Sequence, residues 1–255
     1  MGIPALILEM ICKVAAEQRG GLACSAGYPD IVVTRQQLEA CVGTQIAARI
    51  PVRPDSAEIC AWFGVSGYID RIVDSVSLFK ELGYELDVID IHEARGNEIL
   101  LDLNFPITAD LHETYDLVVD PGTCEHCFNI GQAAMNLAAL VREGGTLIQA
   151  MPLNMFNHGF YNVNPTWFHD FYLNNGYRIL FLKGACDMLR EPKVFELPPY
   201  TRFHEVPQNS SVLLMAKREE IRPPKMPVQH KYISNPTLKG TVPAAPATER
   251  TPRSN

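Results

Sequence analysis

The sequence predicts a doubly wound α/β fold, a mostly parallel sheet of seven strands with helices on both faces. Three observations lead there. Short apolar runs alternate with segments of helical periodicity, the connections between them are short, and the runs end on glycine or a carboxylate. Apolar residues make up 47% of the 255 and charged residues 20%, which supplies a large core and excludes a wholly disordered chain.

In chain order, Glu58–Phe63 (EICAWF) reads as the first strand, ending at Gly64. Tyr68–Leu82 follows with Ile69, Ile72, Val73, Val76 and Phe79 at helical spacing, and Gly83 supplies the stop. Leu86–Ile91, Ile99–Leu103 and Asp116–Asp120 read as strands two to four. Glu125–Val141 reads as a helix stopped by Gly144 and Gly145, and Thr146–Met151 as the fifth strand. Pro165 suits the first turn of a helix over Thr166–Asn174, closed by Gly176, before strands at Arg178–Leu182 and Ser211–Ala216.

Three regions differ in composition. Residues 1–55 carry two helical patterns, the second N-capped by Thr34, and read as a helical cap that covers the crevice or makes homodimer contacts. Residues 56–218 form the α/β domain. Residues 219–255 read as a disordered basic tail: from 221 onward there are 7 of the 19 prolines and six Lys or Arg against the single acid Glu249.

The net charge of −7 argues against a general nucleic-acid binder, and no apolar run reaches the ~18 residues of a membrane span. Seven cysteines in no regular framework suit buried thiols in a reducing compartment. The opening MGIPALILEMICK lacks a basic leader, and a cytoplasmic location is the expectation.

Doubly wound sheets bind ligands beyond the carboxyl ends of their strands. Gly64 and Gly67 let a ligand approach the backbone closely. Asp90 suits a ribose diol and Asp102 an adenine amino group, although either residue can equally cap its own loop. The full G-x-G-x-x-G fingerprint is missing, so an adenosine ligand without a pyrophosphate fits better than NAD.

With those residues in place, a family likeness emerges. Asp116–Asn129 (DLVVDPGTCEHCFN) and Leu140–Thr146 (LVREGGT) resemble the fourth-strand and fifth-strand passages of class I S-adenosylmethionine-dependent methyltransferases, whose fold is Rossmann-like. His158–Pro165 (HGFYNVNP) with Trp167-Phe168 is similar to a segment of a bacterial subgroup linked to surface-glycan or small-molecule modification. The resemblance covers roughly residues 57–183. It implies S-adenosylmethionine as cofactor, bordered by Gly64, Ser66 and Gly67, with Asp90 and Ile91 at the ribose. Asp102 and Leu103 would flank the adenine, and Asp120 and Gly122 would lie toward the methionine. The stretch Trp62–Gly67 departs from the family's acidic residue and tight G-x-G, which leaves either a variant cofactor loop or weakened binding.

Methyl transfer to a hydroxyl needs alignment and a proton acceptor. His158, in a polar loop after the fifth strand, is the expected base, with Tyr161 and Trp167 to stack on an acceptor and with Glu125 and His126 close by. Cys124, His126 and Cys127 lack a fourth ligand at zinc-site spacing, so no metal is expected. The expected function is O-methylation of a glycan or small-molecule acceptor. The alternatives are a non-catalytic module with an eroded cofactor loop and an NAD-dependent oxidoreductase, the latter disfavoured by the missing pyrophosphate glycine.

Overall fold

The computed structural model describes residues 2–93, 95–235 and 237. Its elements run β1 (Gly2–Ile3), α1 (Ala5–Gln18), β2 (Gly21–Ala26), β3 (Asp30–Ile31), α2 (Arg35–Val42), α3 (Thr44–Ala47), α4 (Ser56–Trp62) and α5 (Ser75–Glu81). Then come β4 (Tyr84–Asp90), β5 (Glu98–Leu100), β6 (Tyr115–Asp120), α6 (Ile130–Leu140), β7 (Val141–Asn154) and α7 (Pro165–Asn174). The chain continues with β8 (Tyr177–Cys186), β9 (Lys193–Glu196), β10 (Ser210–Arg218) and α8 (His230–Ile233).

The main sheet has eight strands rather than seven, in the order β5-β4-β2-β6-β7-β10-β8-β9. The first five are mutually parallel. β10 lies antiparallel between β7 and β8, and β9 adds an antiparallel edge. Strand order reverses at β2: β4 and β5 lie to one side, β6 and β7 to the other.

Two expectations fail at the start of this sheet. Its first strand is β2, drawn from the segment read as a helical cap, and Glu58–Phe63 lies largely in helix α4. A strand buried on both faces cannot leave Trp62 86% exposed, whereas one turn of helix buries Ile59 and Cys60 and turns Trp62 outward. The helix expected over Tyr68–Leu82 is confined to α5, capped by Asp74, whose carboxylate accepts the Ser77 N–H. The helix expected from Glu125 starts at Ile130, after a 3-10 turn over Cys124–His126.

β2 reads GLACSA, and Ala23, Cys24, Ser25 and Ala26 are all buried. Small side chains on both faces let the layers above and below close on it. Gly20, at φ +90°, shows how closely its entry is packed: a Cβ there would collide with the Gly83 carbonyl.

The two faces carry separate apolar layers. Leu117 and Val119 of β6 pack with Ile7, Leu8 and Ile11 of α1 and Phe79 of α5. Val118 points the other way, among Ala133 and Leu137 of α6 and Phe168 and Tyr172 of α7. Thr34 caps α2 as expected, in a reciprocal capping box with Gln37.

Of the tail read as disordered, residues 219–235 and 237 are described, and part of this stretch is tied to α7 and its C-terminus. Asn175 exchanges hydrogen bonds with the Lys225 backbone, and the His230 N–H donates to Asp170. The remainder of that expectation lies outside the described residues. Among the described residues, no helix is long and apolar enough to cross a membrane.

Candidate functional site

The register of the parallel strands brings their carboxyl ends to one level. Asp90 pairs with Leu100, Ala26 with Ile89, Ser25 with Val119 and Asp120 with Gln149. At about 4.8 Å between neighbouring strands, the tips of β4 and β6 stand roughly 10 Å apart across β2. The tip of β2 is tied to both neighbours. Gly27 (φ +77°) donates to the Ile89 carbonyl at 2.7 Å, and Thr123 donates its hydroxyl to the Ala26 carbonyl at 2.6 Å.

Asp90 and Asp102 resemble each other in their bonding. Asp90 Oδ1 accepts the N–H groups of Ile91 and His92. Asp102 Oδ1 accepts the backbone N–H and the side-chain amide of Asn104. Among the described residues neither Oδ2 has a hydrogen-bond partner. The Asp102 loop is pinned by the buried Asn136 of α6, which donates to the carbonyls of Leu103 and Phe105 and accepts from Ile107. Leu103 is consequently buried in the core, while Ile91 is 60% exposed.

Asp120 sits elsewhere in the scheme. It is fully buried, with Oδ1 accepting from Gly122 and Thr123 and Oδ2 from Gln149. Burial raises its pKa and these bonds oppose the rise. Its carboxylate is committed to shaping the Pro121–Thr123 loop and does not face a ligand.

Gly64, Ser66 and Gly67 do not border a strand tip. They follow α4 in a turn around Val65 and Ile69, which belong to a small satellite core with Val32, Ile59 and Cys60. The loop that does follow the first strand is Gly27-Tyr28-Pro29-Asp30, which the sequence does not single out. There Tyr28 lies between the guanidinia of Arg53 and Arg95, at 5.0 and 5.1 Å, and Arg95 reaches across to Asp30 at 3.5 Å.

Beside the β6 tip opens a cavity of about 480 Å³, lined by Gly2, Pro4 and Ile7 from the N-terminal segment, by Gly122, and by Glu125, His126 and His158. Glu125 is 1% exposed. The loop carrying His158 is fixed to it: Phe160 N–H donates to the Glu125 carbonyl at 2.8 Å, and a Cβ on Gly159 would come within 2.8 Å of that oxygen. Nothing larger than hydrogen fits at Gly159, and this close approach sets His158 Nε2 3.5 Å from Glu125 Oε1. Oε2 has no hydrogen-bond partner among the described residues.

Burial pushes the Glu125 carboxyl up to about 7, against the pull of His158. The bond to Glu125 raises His158, while burial and then the neighbouring His158 lower His126. The histidine rings lie 5.4 Å apart, and the ligating atoms of Glu125, His126 and His158 all fall within 4.8 Å of one another. Two imidazoles and a carboxylate so placed have the chemistry to hold a divalent transition metal. The Cys124 and Cys127 thiols turn away instead, bonding to Asp120 and to the Thr123 carbonyl.

Tyr161 and Trp167 do not reach this cavity. The Tyr161 hydroxyl is spent on the Phe128 carbonyl at 2.7 Å. Trp167 stacks on Phe171 and meets Phe168 edge-on along α7. The structure thus gathers Gly122, Glu125, His126 and His158 at one place and Asp90 with Asp102 at neighbouring tips.

A parallel sheet reversing at β2, with its crevice over the carboxyl ends, defines a Rossmann-like α/β fold. No protein-family model matches the chain, and no curated protein does. Among solved structures the chain is similar to TehB from Haemophilus influenzae, at 13% identity over 56% of this chain and 53% of that one, with a TM-score of 0.38. It is similar to the trans-methyltransferase CalH in complex with SAH, at 11% over 83% and 55%, TM-score 0.43. A third is the 1,6-didemethyltoxoflavin-N1-methyltransferase of Burkholderia thailandensis, at 12% over 73% and 87%, TM-score 0.38. The matched part spans about half the length of the first two. At such identities and TM-scores the likeness says nothing of what this chain binds.

Proposed function

We propose that the chain is an S-adenosylmethionine-dependent methyltransferase that methylates a hydroxyl of a glycan or other small acceptor. The observation that carries this reading is the presence of Asp90 at the tip of β4 and Asp102 just beyond β5, each with one carboxylate oxygen free of protein partners among the described residues, beside a cavity whose polar end holds the buried Glu125 against the exposed His158. Those tips fit a nucleoside: Asp90 Oδ2 would accept from the ribose diol and Asp102 Oδ2 from an exocyclic amine. The single glycine at the β2 tip, Gly27, suits a ligand with no pyrophosphate to cradle.

S-adenosylmethionine, if bound, would supply an electrophilic methyl carbon with the thioether sulfur as its leaving group. The chain's own residues handle alignment and the proton. Gly122 and the N-terminal Gly2, Pro4 and Ile7 wall the acceptor beside the β6 tip. His158 takes the hydroxyl proton at Nδ1, while Glu125 holds the imidazole through Nε2 and stabilises it once charged.

Titration calorimetry with S-adenosylmethionine tests the proposal directly. Micromolar binding supports the enzyme, and no binding at millimolar leaves a non-catalytic module. The 4.8 Å cluster favours one second reading, a cation on Glu125, His126 and His158 that polarises the hydroxyl in place of a base. Activity that survives exhaustive chelation rules it out.

A further inference from the structure

We infer that the cavity beside His158 takes a compact aryl ring carrying a single hydroxyl, a phenolic acceptor rather than a glycan. This deepens the methyl-transfer reading and rests on it for the word acceptor. The walls come from Ile7, Phe63, Met151, Met155, Met188 and Leu189. Pro4, Pro121 and Pro152 add backbone without a single N–H to donate. The polar side-chain groups are Glu125, His126 and His158 in one cluster, the buried Ser211 hydroxyl and the indole N–H of the largely exposed Trp62.

A hexopyranose would bring four or five hydroxyls into this space. Most would lose their water against thioether, aliphatic and aromatic groups and gain no partner. An aryl ring loses nothing there. Three methionine sulfurs and the Phe63 ring form polarisable walls of the kind that pack against aromatic faces. About 480 Å³ accommodates one or two fused rings.

The proton chemistry agrees. A phenol releases its proton near pH 10, as tyrosine does, within reach of an imidazole held by a carboxylate, whereas a sugar hydroxyl is a far weaker acid. With its ring against the methionines, the one hydroxyl of such a compound is the group that meets the only polar cluster of side chains in the wall.

The test uses the full chain with 1-naphthol and methyl glucoside as probes, each titrated with and without S-adenosylmethionine, together with a methyl-transfer assay on both. The expected result is naphthol binding at least tenfold tighter than glucoside. Met155→Asn/Met188→Asn should lose at least tenfold in naphthol affinity with cofactor affinity unchanged. Naphthol binding without any cofactor binding would sink the methyltransferase reading and leave the pocket chemistry standing. Cofactor binding with methylation of the glucoside and no naphthol binding would overturn this inference and leave the enzyme standing. A double variant that fails to fold is replaced by Met188→Gln alone, read against the same two probes.

Discussion

Replacing Glu125 by Gln removes one buried ionisation and almost nothing else, because the amide keeps the shape and can still accept from His158. In the native protein burial lifts the carboxyl from 4.5 to about 7. Between those two pH values the folded chain holds a proton that the unfolded chain has lost. Stability therefore falls as pH rises across that window, by about 1.4 kcal/mol for each tenfold gap in proton affinity, or about 3 kcal/mol by pH 8. His158 adds to the same trend: its raised pKa stabilises the fold in acid and that contribution is lost as pH rises. Glu125→Gln cannot pay the carboxylate's part of this cost, so its stability relative to wild type should climb by up to about 3 kcal/mol from pH 4.5 to 8. For a chain of this size that is a relative gain of roughly 6–12 °C in melting temperature. Thermal melts of both proteins at pH 5 and pH 8 measure it. A difference between them that is the same at both pH values would refute a buried, strained carboxylate.

Four further outcomes follow from the geometry. Asp90→Ala should weaken S-adenosylmethionine binding by about 1–3 kcal/mol, roughly five- to 150-fold by calorimetry, and an unchanged dissociation constant would remove Asp90 from the site. His158→Ala should depress turnover and leave cofactor affinity alone; full activity would end its role as base. Gly159→Ala forces a methyl against the Glu125 carbonyl and should cost about 1–3 kcal/mol in denaturant melts, so a neutral result would contradict the close packing of that loop. Asn136→Leu strands the carbonyls of Leu103 and Phe105, at about 1–3 kcal/mol each, and faster amide exchange over residues 101–107 should report it.

Much of the fold was legible because most strands are built of large apolar residues. LDVIDI and DLVVD lie within a residue or two of β4 and β6. TLIQAM falls inside β7, whose bounds run further at both ends than its apolar run suggests. EICAWF shows where that signal is ambiguous: a six-residue apolar run suits a strand or a turn of helix. Asp55 directly before it, Glu58 in its first turn and the exposure of Trp62 all favour the helix. The gathering of Gly122, Glu125, His126 and His158 at one cavity is also legible, since they come from two short loops whose local chemistry is explicit. Tyr161 and Trp167 lie away from the cavity because an aromatic's partners are a property of the fold: Trp167 stacks on Phe171 along α7, and the Tyr161 hydroxyl donates to the Phe128 carbonyl.

The end of the proposed site at the β2 and β4 tips is only half legible, and the cause is a single strand. β2 carries two alanines, a cysteine and a serine where its neighbours carry valine and isoleucine, so neither period 2 nor an apolar run marks it. Yet small residues are what the centre of a doubly covered sheet tolerates when helices press closely on both faces. Once GLACSA is taken as the first strand, the loop that follows that strand is Gly27–Asp30 rather than Gly64–Gly67, and the strand order reverses beside it, which is where the proposed cofactor would lie. Asp90 and Asp102 keep their places, because β4 and β5 are positioned by their own apolar residues. The glycine turn around Trp62–Gly67 follows α4 and not a strand of the sheet, so the proposed cofactor binding is best tested at Gly27, Tyr28 and Asp90.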